Sequence, residues 1–147
     1  NEVLEMKEQL QSYIYTEKLL AQLYRQAAAM ATLQSERQVL LAFARDAEQN
    51  ANYLNHFYRE EFGTNFDPMI PEGNIQGTYR DLLNEIQKQE LASYLELRKL
   101  TYNQGNIELR ETIRAITDVK LGHILTLLAI VTNMNTPGEE RSQKFFK

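Results

Sequence analysis

Four long segments of helical composition, separated by a short, a long and a second short break, constrain this sequence most. Glycine and proline are sparse, and two of the three prolines and three of the six glycines fall in residues 62–78. The uninterrupted segments cover about 2–33, 35–61, 79–103 and 107–134. Each carries apolar residues at three- and four-residue spacing, which is typical of a helix that buries one face.

The lengths of the connections predict how these helices are arranged. Tight turns join the first segment to the second and the third to the fourth, whereas the middle connection runs over about 17 residues, which is long for a compact domain. This order is typical of a four-helix bundle with a crossover between helices two and three. We therefore predict an all-α fold that forms a single domain over residues 1–147, with a C-terminal tail at 137–147.

Helix start signals agree with these boundaries. Ser35 followed by Gln38, and Thr78 followed by Asp81, are capping-box patterns, and Asn106 can cap the fourth helix. We expect each of these side chains to accept a hydrogen bond from a backbone N–H in the first turn.

Composition excludes several classes of function. The chain has no cysteine, so a disulfide framework, a thiolate zinc site and a cysteine nucleophile are impossible. A formal net charge of -4 argues against a nucleic-acid partner. The most apolar run, residues 124–131, is much shorter than the ~20 residues of a membrane span. We expect a soluble, cytoplasmic protein with no transmembrane segment.

Every apolar stripe is interrupted by polar residues near its middle. The interrupting residues are Glu17 on helix one, Asn50 on helix two, Glu90 and Ser93 on helix three, and Lys120 and His123 on helix four. Middle positions of bundle helices lie at similar heights, and buried charge is costly unless it is paired or bound to a metal. We therefore predict one shared polar cluster of Glu17, Asn50, Glu90, Lys120 and His123. A purely structural salt-bridge network explains such a cluster as well as a functional site does.

Two further residues attract attention. Gly122 lies inside helix four, where glycine costs about 1 kcal/mol relative to alanine. Close approach of a neighbouring helix would compensate, so we predict such a contact. His56 lies off the apolar stripe of helix two and is expected at the surface.

The local motifs resemble the ferritin-like superfamily, in particular its rubrerythrin-like and bacterioferritin-like members. In "YTEKLLAQLYRQAA", Glu17 followed by Tyr24 is similar to the family's first metal-ligand glutamate and its tyrosine. "LLNEIQKQELASYLEL" resembles the single-glutamate helix through Glu90, and "AITDVKLGHILTLL" resembles a Glu-x-x-His helix through His123. The resemblance implies an up-down-down-up bundle around a di-iron centre of four glutamates and two histidines.

The sequence departs from that ligand set at three positions. The stretch "FARDAEQNANYLNHF" has Ala47 and Asn50 where the resemblance implies glutamate and histidine. Lys120 stands where the last glutamate would be, so only Glu17, Glu90 and His123 remain of six ligands. The sequence therefore implies a degenerate di-iron site.

Lys120 reverses the electrostatics of such a site. A unit charge at about 4 Å interacts by roughly 4 kcal/mol at an effective dielectric of 20, attractive toward carboxylates and repulsive toward a metal. We interpret the cluster as a network in which lysine, two glutamates and histidine replace the metals, so that no cofactor is needed. The alternative is one iron, manganese or zinc ion held by Glu17, Glu90 and His123, with Asp46 reaching in.

Two functional hypotheses follow. The first is a non-catalytic structural or interaction protein whose metal centre has been lost, and for which we expect a homodimer. The second is a metal-binding oxidoreductase that handles iron, peroxide or oxygen at a reduced site. A further form of the first hypothesis is a bundle that packs an exposed apolar surface against another protein.

Overall fold

The computed structural model describes residues 2–72, 76–103 and 105–134. These residues form four α-helices: α1 (Glu2–Met30), α2 (Gln34–Phe62), α3 (Tyr79–Asn103) and α4 (Ile107–Asn133). No strand occurs in the described ranges, which confirms the prediction of an all-α, four-helix fold. The predicted tail at 137–147 lies outside the described residues.

Two of the three predicted helix caps are present. The backbone N–H of Asp81 donates to Thr78 Oγ1 at 3.1 Å, and the N–H of Thr78 donates to Asp81 Oδ2 at 2.9 Å, which completes a capping box. At the start of α4, the N–H of Leu109 donates to Asn106 Oδ1 at 3.0 Å. Both side chains satisfy donors that the first helical turn leaves without an intrahelical partner.

The prediction for Ser35 is wrong. The N-cap of α2 is Leu33, whose extended backbone (φ -88°, ψ 130°) carries no side-chain cap, and Ser35 lies inside the helix. In addition, α1 ends at Met30 rather than near residue 33. The chain turns after Ala31, which is buried, and Arg37 reaches back from α2 to donate to the Ala31 carbonyl oxygen at 2.9 Å.

The apolar core has two parts, one toward each end of the bundle. One combines the C-terminal halves of α1 and α4 with the N-terminal halves of α2 and α3. The other combines the remaining halves, and its buried residues are Leu10, Ile14, Leu54, Tyr58, Leu97, Leu109, Ile113 and Ile116. The polar residues predicted from the sequence lie in the helical turns between these two clusters.

Residues 63–78 connect α2 to α3, as the sequence predicted. The connection begins at Gly63, whose φ of 79° is left-handed and ends α2. The Asn55 side chain then fixes the connection through two hydrogen bonds to the backbone of Phe66. Its Nδ2 donates to the Phe66 carbonyl at 2.9 Å, and its Oδ1 accepts from the Phe66 N–H at 2.8 Å. Gln22 on α1 donates to the Pro71 carbonyl at 3.3 Å.

The helix α4 is the most apolar of the four. Of the helices in the described ranges, it alone is long and apolar enough to cross a membrane by length and composition, and 39% of its most apolar window is buried inside the bundle. The core helix of a globular bundle has the same properties. No described helix is therefore a clear transmembrane segment.

The expectation for Gly122 is wrong. Gly122 is exposed, and a Cβ atom added there would meet no other atom within 4 Å. No neighbouring helix approaches it, because its side of α4 points away from the core.

Candidate functional site

The centre of the polar layer is the ammonium group of Lys120, which α4 places between α1 and α3. Its Nζ donates to Glu17 Oε2 at 2.5 Å and to Glu90 Oε1 at 2.6 Å. All three side chains are at most 1% exposed. The lysine therefore joins two carboxylates across the bundle interior, and both ion pairs are shielded from bulk solvent.

The second oxygen of Glu17 is bound from α2. Asn50 Nδ2 donates to Glu17 Oε1 at 2.8 Å. An amide is neutral, so this contact satisfies the carboxylate without adding a second positive charge. Glu17 thus shares one cation with Glu90 and has no other positive partner among the hydrogen bonds of the described residues.

The second oxygen of Glu90 has two partners. The Tyr24 hydroxyl donates to Glu90 Oε2 at 2.6 Å, and His123 Nδ1 lies 2.7 Å from the same oxygen. The other ring nitrogen of His123 lies 2.9 Å from Asp46 Oδ2 on α2. Asp46 is about half exposed, so the chain of polar contacts leads from the buried lysine to the surface.

Aromatic side chains fix the orientation of the His123 ring. Phe43 stacks on it with ring centroids 4.0 Å apart, and Tyr24 meets it edge-on at 5.5 Å. Both ring nitrogens are therefore directed at carboxylates by packing as well as by hydrogen bonding.

The structure brings together all five residues of the predicted polar cluster, and it adds Tyr24 and Asp46. Tyr24 belongs to the family-like motif of α1. Asp46 is the residue that we expected to reach into the cluster from α2. His56 is exposed, as expected, and Ser93 is buried on α3.

Burial and charge act in opposite directions on this layer. Burial raises the pKa of the Glu17 carboxyl and outweighs the attraction of Lys120. For Glu90, burial also opposes ionisation, but Lys120 and His123 outweigh it and lower the pKa to about 2. The difference has a structural cause: Glu90 accepts from lysine, histidine and tyrosine, whereas Glu17 accepts from the lysine and a neutral amide.

The donors are held in their protonated forms. Burial alone would lower the pKa of Lys120, yet Glu17 and Glu90 raise it above its usual 10.5. Burial and the nearby Glu90 carboxylate raise the pKa of Tyr24 well above 10.0. At neutral pH the layer therefore contains an ammonium ion, a phenol donor and an ionised Glu90.

This donor set does not fit a divalent metal ion. The Lys120 nitrogen lies within hydrogen-bond distance of one oxygen from each carboxylate, in the position from which a bound cation would contact both. In the described part of the chain, no group of three or more histidine, aspartate or glutamate side chains is arranged to hold a metal ion. A metal bound by Glu17 and Glu90 would have to displace the lysine and leave an unpaired ammonium in the interior.

Four of the residues in the polar layer are shielded from solvent by the described helices. Glu17, Glu90, Lys120 and His123 are all at most 2% exposed. A groove of about 390 Å³ lies where α1, α2 and the crossover meet, but its walls are formed by residues such as Gln22, Asn52 and Ile70, and none of the polar layer lines it. These contacts join all four helices in the interior of the bundle.

A third buried carboxylate, besides Glu17 and Glu90, was not found from the sequence. Glu36, near the start of α2, is fully buried, and the Tyr79 hydroxyl at the start of α3 donates to it at 2.9 Å. A signal was present, because Glu36 lies one turn before Leu40 and continues the inward stripe of α2. This contact fixes the start of α3 against α2, at the end of the long connection.

Comparisons with known proteins identify the fold alone. No protein-family model matches the sequence, and no curated protein is significantly similar to it. Among solved structures, a hypothetical protein from Pyrococcus furiosus superposes with a TM-score of 0.75 at 18% identity, over 90% of this chain and 93% of that chain. The match extends across nearly the whole of both chains, and it supports a helical bundle.

Proposed function

We propose that this chain is a ferritin-like bundle whose di-metal centre has been replaced by an internal ion-pair network, and that it serves as a non-catalytic structural or interaction protein. The proposal combines the fold, the motif resemblance on α1, α3 and α4, and the contacts of the polar layer. It includes a homodimeric state and a cytoplasmic location.

The composition of the two apolar clusters supports the up-down-down-up order. The C-terminal half of α1 shares a cluster with the N-terminal halves of α2 and α3 and with the C-terminal half of α4. Helices α2 and α3 thus run opposite to α1 and α4. A ferritin-like bundle with a crossover after its second helix has this order.

The position of the Lys120 nitrogen carries the proposal. It donates to Glu17 at 2.5 Å and to Glu90 at 2.6 Å. These two carboxylates are the ones that the motif resemblance assigns to metal ligation. The ammonium group of Lys120, between these two carboxylates, supplies the positive charge that a metal ion would otherwise supply. It is part of the chain, so no metal ion has to be taken up or oxidised. Ala47 and Asn50 remove further ligands from the same layer.

The metal content of the protein purified without chelators tests this proposal. Elemental analysis should find iron, manganese and zinc far below one equivalent per chain. Near-stoichiometric metal that disappears in a Glu17→Ala variant would contradict the proposal. A Lys18→Ala variant is the matched control for nonspecific surface binding, because Lys18 pairs with Asp67 at 3.6 Å near the surface.

One observation favours the second candidate, a metal-binding oxidoreductase with a reduced site. Asp46 does reach His123, so four potential ligands (Asp46, Glu17, Glu90 and His123) are linked through the layer. If this candidate is right, the protein accelerates peroxide-dependent oxidation of ferrous iron. A rate equal to that of free iron, measured alongside a His123→Ala variant, would eliminate it.

A further inference from the structure

The outer surface of α3 and α4 carries a cluster of exposed leucines. Their exposed fractions are 45% for Leu91, 50% for Leu95, 40% for Leu121, 58% for Leu125 and 51% for Leu128. We refer to these five residues as the leucine face. The residues on α3 are one turn apart, and those on α4 follow the spacing i, i+4, i+7, so each set forms a ridge along its helix.

The two ridges lie on the same side of the bundle. A groove between α3 and α4 is lined by Tyr94, Arg98 and Tyr102 from one helix and by Arg114, Thr117 and Asp118 from the other. Leu91 and Leu95 continue the stripe of Arg98 toward the start of α3. Leu121, Leu125 and Leu128 continue the stripe of Asp118 toward the end of α4. Because Lys120 contacts Glu90 and the two helices run in opposite directions, Leu91 lies close to the height of Leu121, and from there the two ridges extend toward opposite ends of the bundle.

Among the described residues, none covers this apolar surface. Only 39% of the most apolar window of α4 is buried inside the described fold, although the window has the composition of a core helix. Five leucine side chains, each about half exposed, present roughly 400 Å² of apolar surface, which lies in the range of functional patches. Single exposed leucines such as Leu41 on α2 need no such explanation.

The size of the leucine face matches what a dimer requires. A standard interface buries about 800 Å² on each partner, of which somewhat more than half is apolar, so about 450 Å² of apolar surface is needed from each side. A two-fold axis brings the same patch from both copies together. The leucine ridges of the two copies then pack against each other as the helices of a bundle do.

The charges near the leucine face favour a second copy over a lipid surface. Asp118 lies one turn before Leu121 on the same stripe, so insertion of the ridge into a bilayer would carry a carboxylate toward the hydrocarbon. The net charge of the whole chain is -4, which opposes binding to anionic lipids. An interface with a second copy leaves Asp118 hydrated at its edge.

We infer that the leucine face is the interface through which two copies of this chain form a symmetric dimer. This inference rests on the part of the proposed function that assigns an interaction role, and it locates that role on α3 and α4. It does not depend on what the polar layer binds. A monomeric wild type would remove the homodimeric state from the proposed function but leave the metal content unchanged, so the interface and the replacement of the metal fail separately.

Sedimentation analysis over a concentration series tests the inference. The wild type should sediment with twice the 17.2 kDa mass of the chain. Leu125→Glu and Leu91→Glu, one on each helix, should each weaken dimerisation at least about 30-fold, because they place a charge at the centre of the apolar contact. Leu41→Glu, a change at a leucine of α2 that is 38% exposed, should leave dimerisation unaltered. Circular dichroism verifies that each variant is folded.

Three results would overturn the inference. A wild type that stays monomeric at every concentration excludes the dimer, and if it then co-floats with lipid vesicles the face binds membranes instead. A folded Leu125→Glu variant that dimerises as tightly as the wild type places the interface elsewhere. Equal weakening by Leu41→Glu would show that the charge change has a general effect unrelated to this face.

Discussion

At the scale of single residues, Lys120 is the group on which the neutrality of the interior depends. It is the shared partner of two buried carboxylates, and its removal would leave Glu17 with the neutral Asn50 amide and Glu90 with His123 and Tyr24. Losing one partner of a buried ion pair is much more costly than losing the pair as a whole, because the remaining charge is neither hydrated nor compensated.

A Lys120→Met variant should therefore lose about 3–5 kcal/mol of unfolding free energy in urea at pH 7. The methionine keeps most of the side-chain volume, so the loss reports charge rather than packing. Lys18→Met is the matched control and should cost less than about 1 kcal/mol, because the Lys18–Asp67 pair is solvated. If both variants are equally stable, Lys120 does not stabilise the two glutamates.

The pH dependence of stability should reveal Glu90. Its pKa is lowered from 4.5 to about 2 in the folded protein, so its ionised form stabilises the fold above pH 4.5, and this contribution disappears as the pH falls toward 2. The stability of the wild type relative to Glu90→Gln should therefore decrease by about 3 kcal/mol between pH 6 and pH 2. Glu17, whose pKa is raised, contributes a change in unfolding free energy of the opposite sign over the acid range.

Urea unfolding at a series of pH values measures this difference. Lys120 cannot produce the acid effect, because its pKa is raised above 10.5 and its stabilisation is lost only in strongly alkaline solution. If the difference in unfolding free energy between wild type and Glu90→Gln stays constant from pH 6 to pH 2, Glu90 is no more easily ionised in the folded state than in the unfolded state.

The participants of the polar layer could be predicted from the sequence, but their pairing could not. Helical spacing placed Glu17, Asn50, Glu90, Lys120 and His123 on inward stripes, because polar residues on an apolar stripe stand out. Which oxygen accepts from which donor depends on helix rotation and side-chain rotamers. For that reason the different environments of Glu17 and Glu90 became apparent only in three dimensions.

At the scale of the helices, α4 contains an uncompensated glycine. Gly122 has ordinary helical backbone and open space around its Cβ position, so alanine fits there without strain. A Gly122→Ala variant should gain about 0.5–1 kcal/mol of unfolding free energy, because alanine restricts the unfolded chain and favours helix. Thermal and urea unfolding measure the gain.

Gly63→Ala is the control for that substitution. Gly63 ends α2 with φ at 79°, a conformation that strains an alanine, although nothing lies within 4 Å of its Cβ position. The same chemical change should therefore destabilise at Gly63 and stabilise at Gly122. A loss of stability at Gly122 would indicate that a neighbouring molecule approaches this side of α4.

The helix boundaries show which helix caps can be predicted from the local sequence. Thr78 and Asn106 act as caps as predicted, because each is followed at once by a continuous helical segment. Ser35 offered the same pattern and does not cap, because α2 already begins at Gln34 with Leu33 as its N-cap, which leaves Ser35 inside the helix. Tertiary contacts override a capping pattern where two helices are joined by a tight turn.

At the scale of the whole molecule, a charged layer separates two apolar clusters. Its ion pairs link α1 to α4 and α3 to α4, and an amide links α1 to α2. The number of helices and the position of the long connection follow from glycine and proline placement. The contacts that hold the crossover, such as those between Asn55 and Phe66, join residues whose pairing no periodic pattern specifies.

The central claim is that an ammonium group has replaced metal in this layer, and it is tested most directly by restoring the missing ligands. The variant Ala47→Glu, Asn50→His, Lys120→Glu removes the ammonium and adds three ligands in the same layer. We compare zinc and ferrous iron binding by this variant and its parent, using equilibrium dialysis followed by elemental analysis. The account predicts at least one tightly bound ion per variant chain and none in the parent. A folded variant that binds no more metal than its parent, or a parent that already binds stoichiometrically, would contradict it.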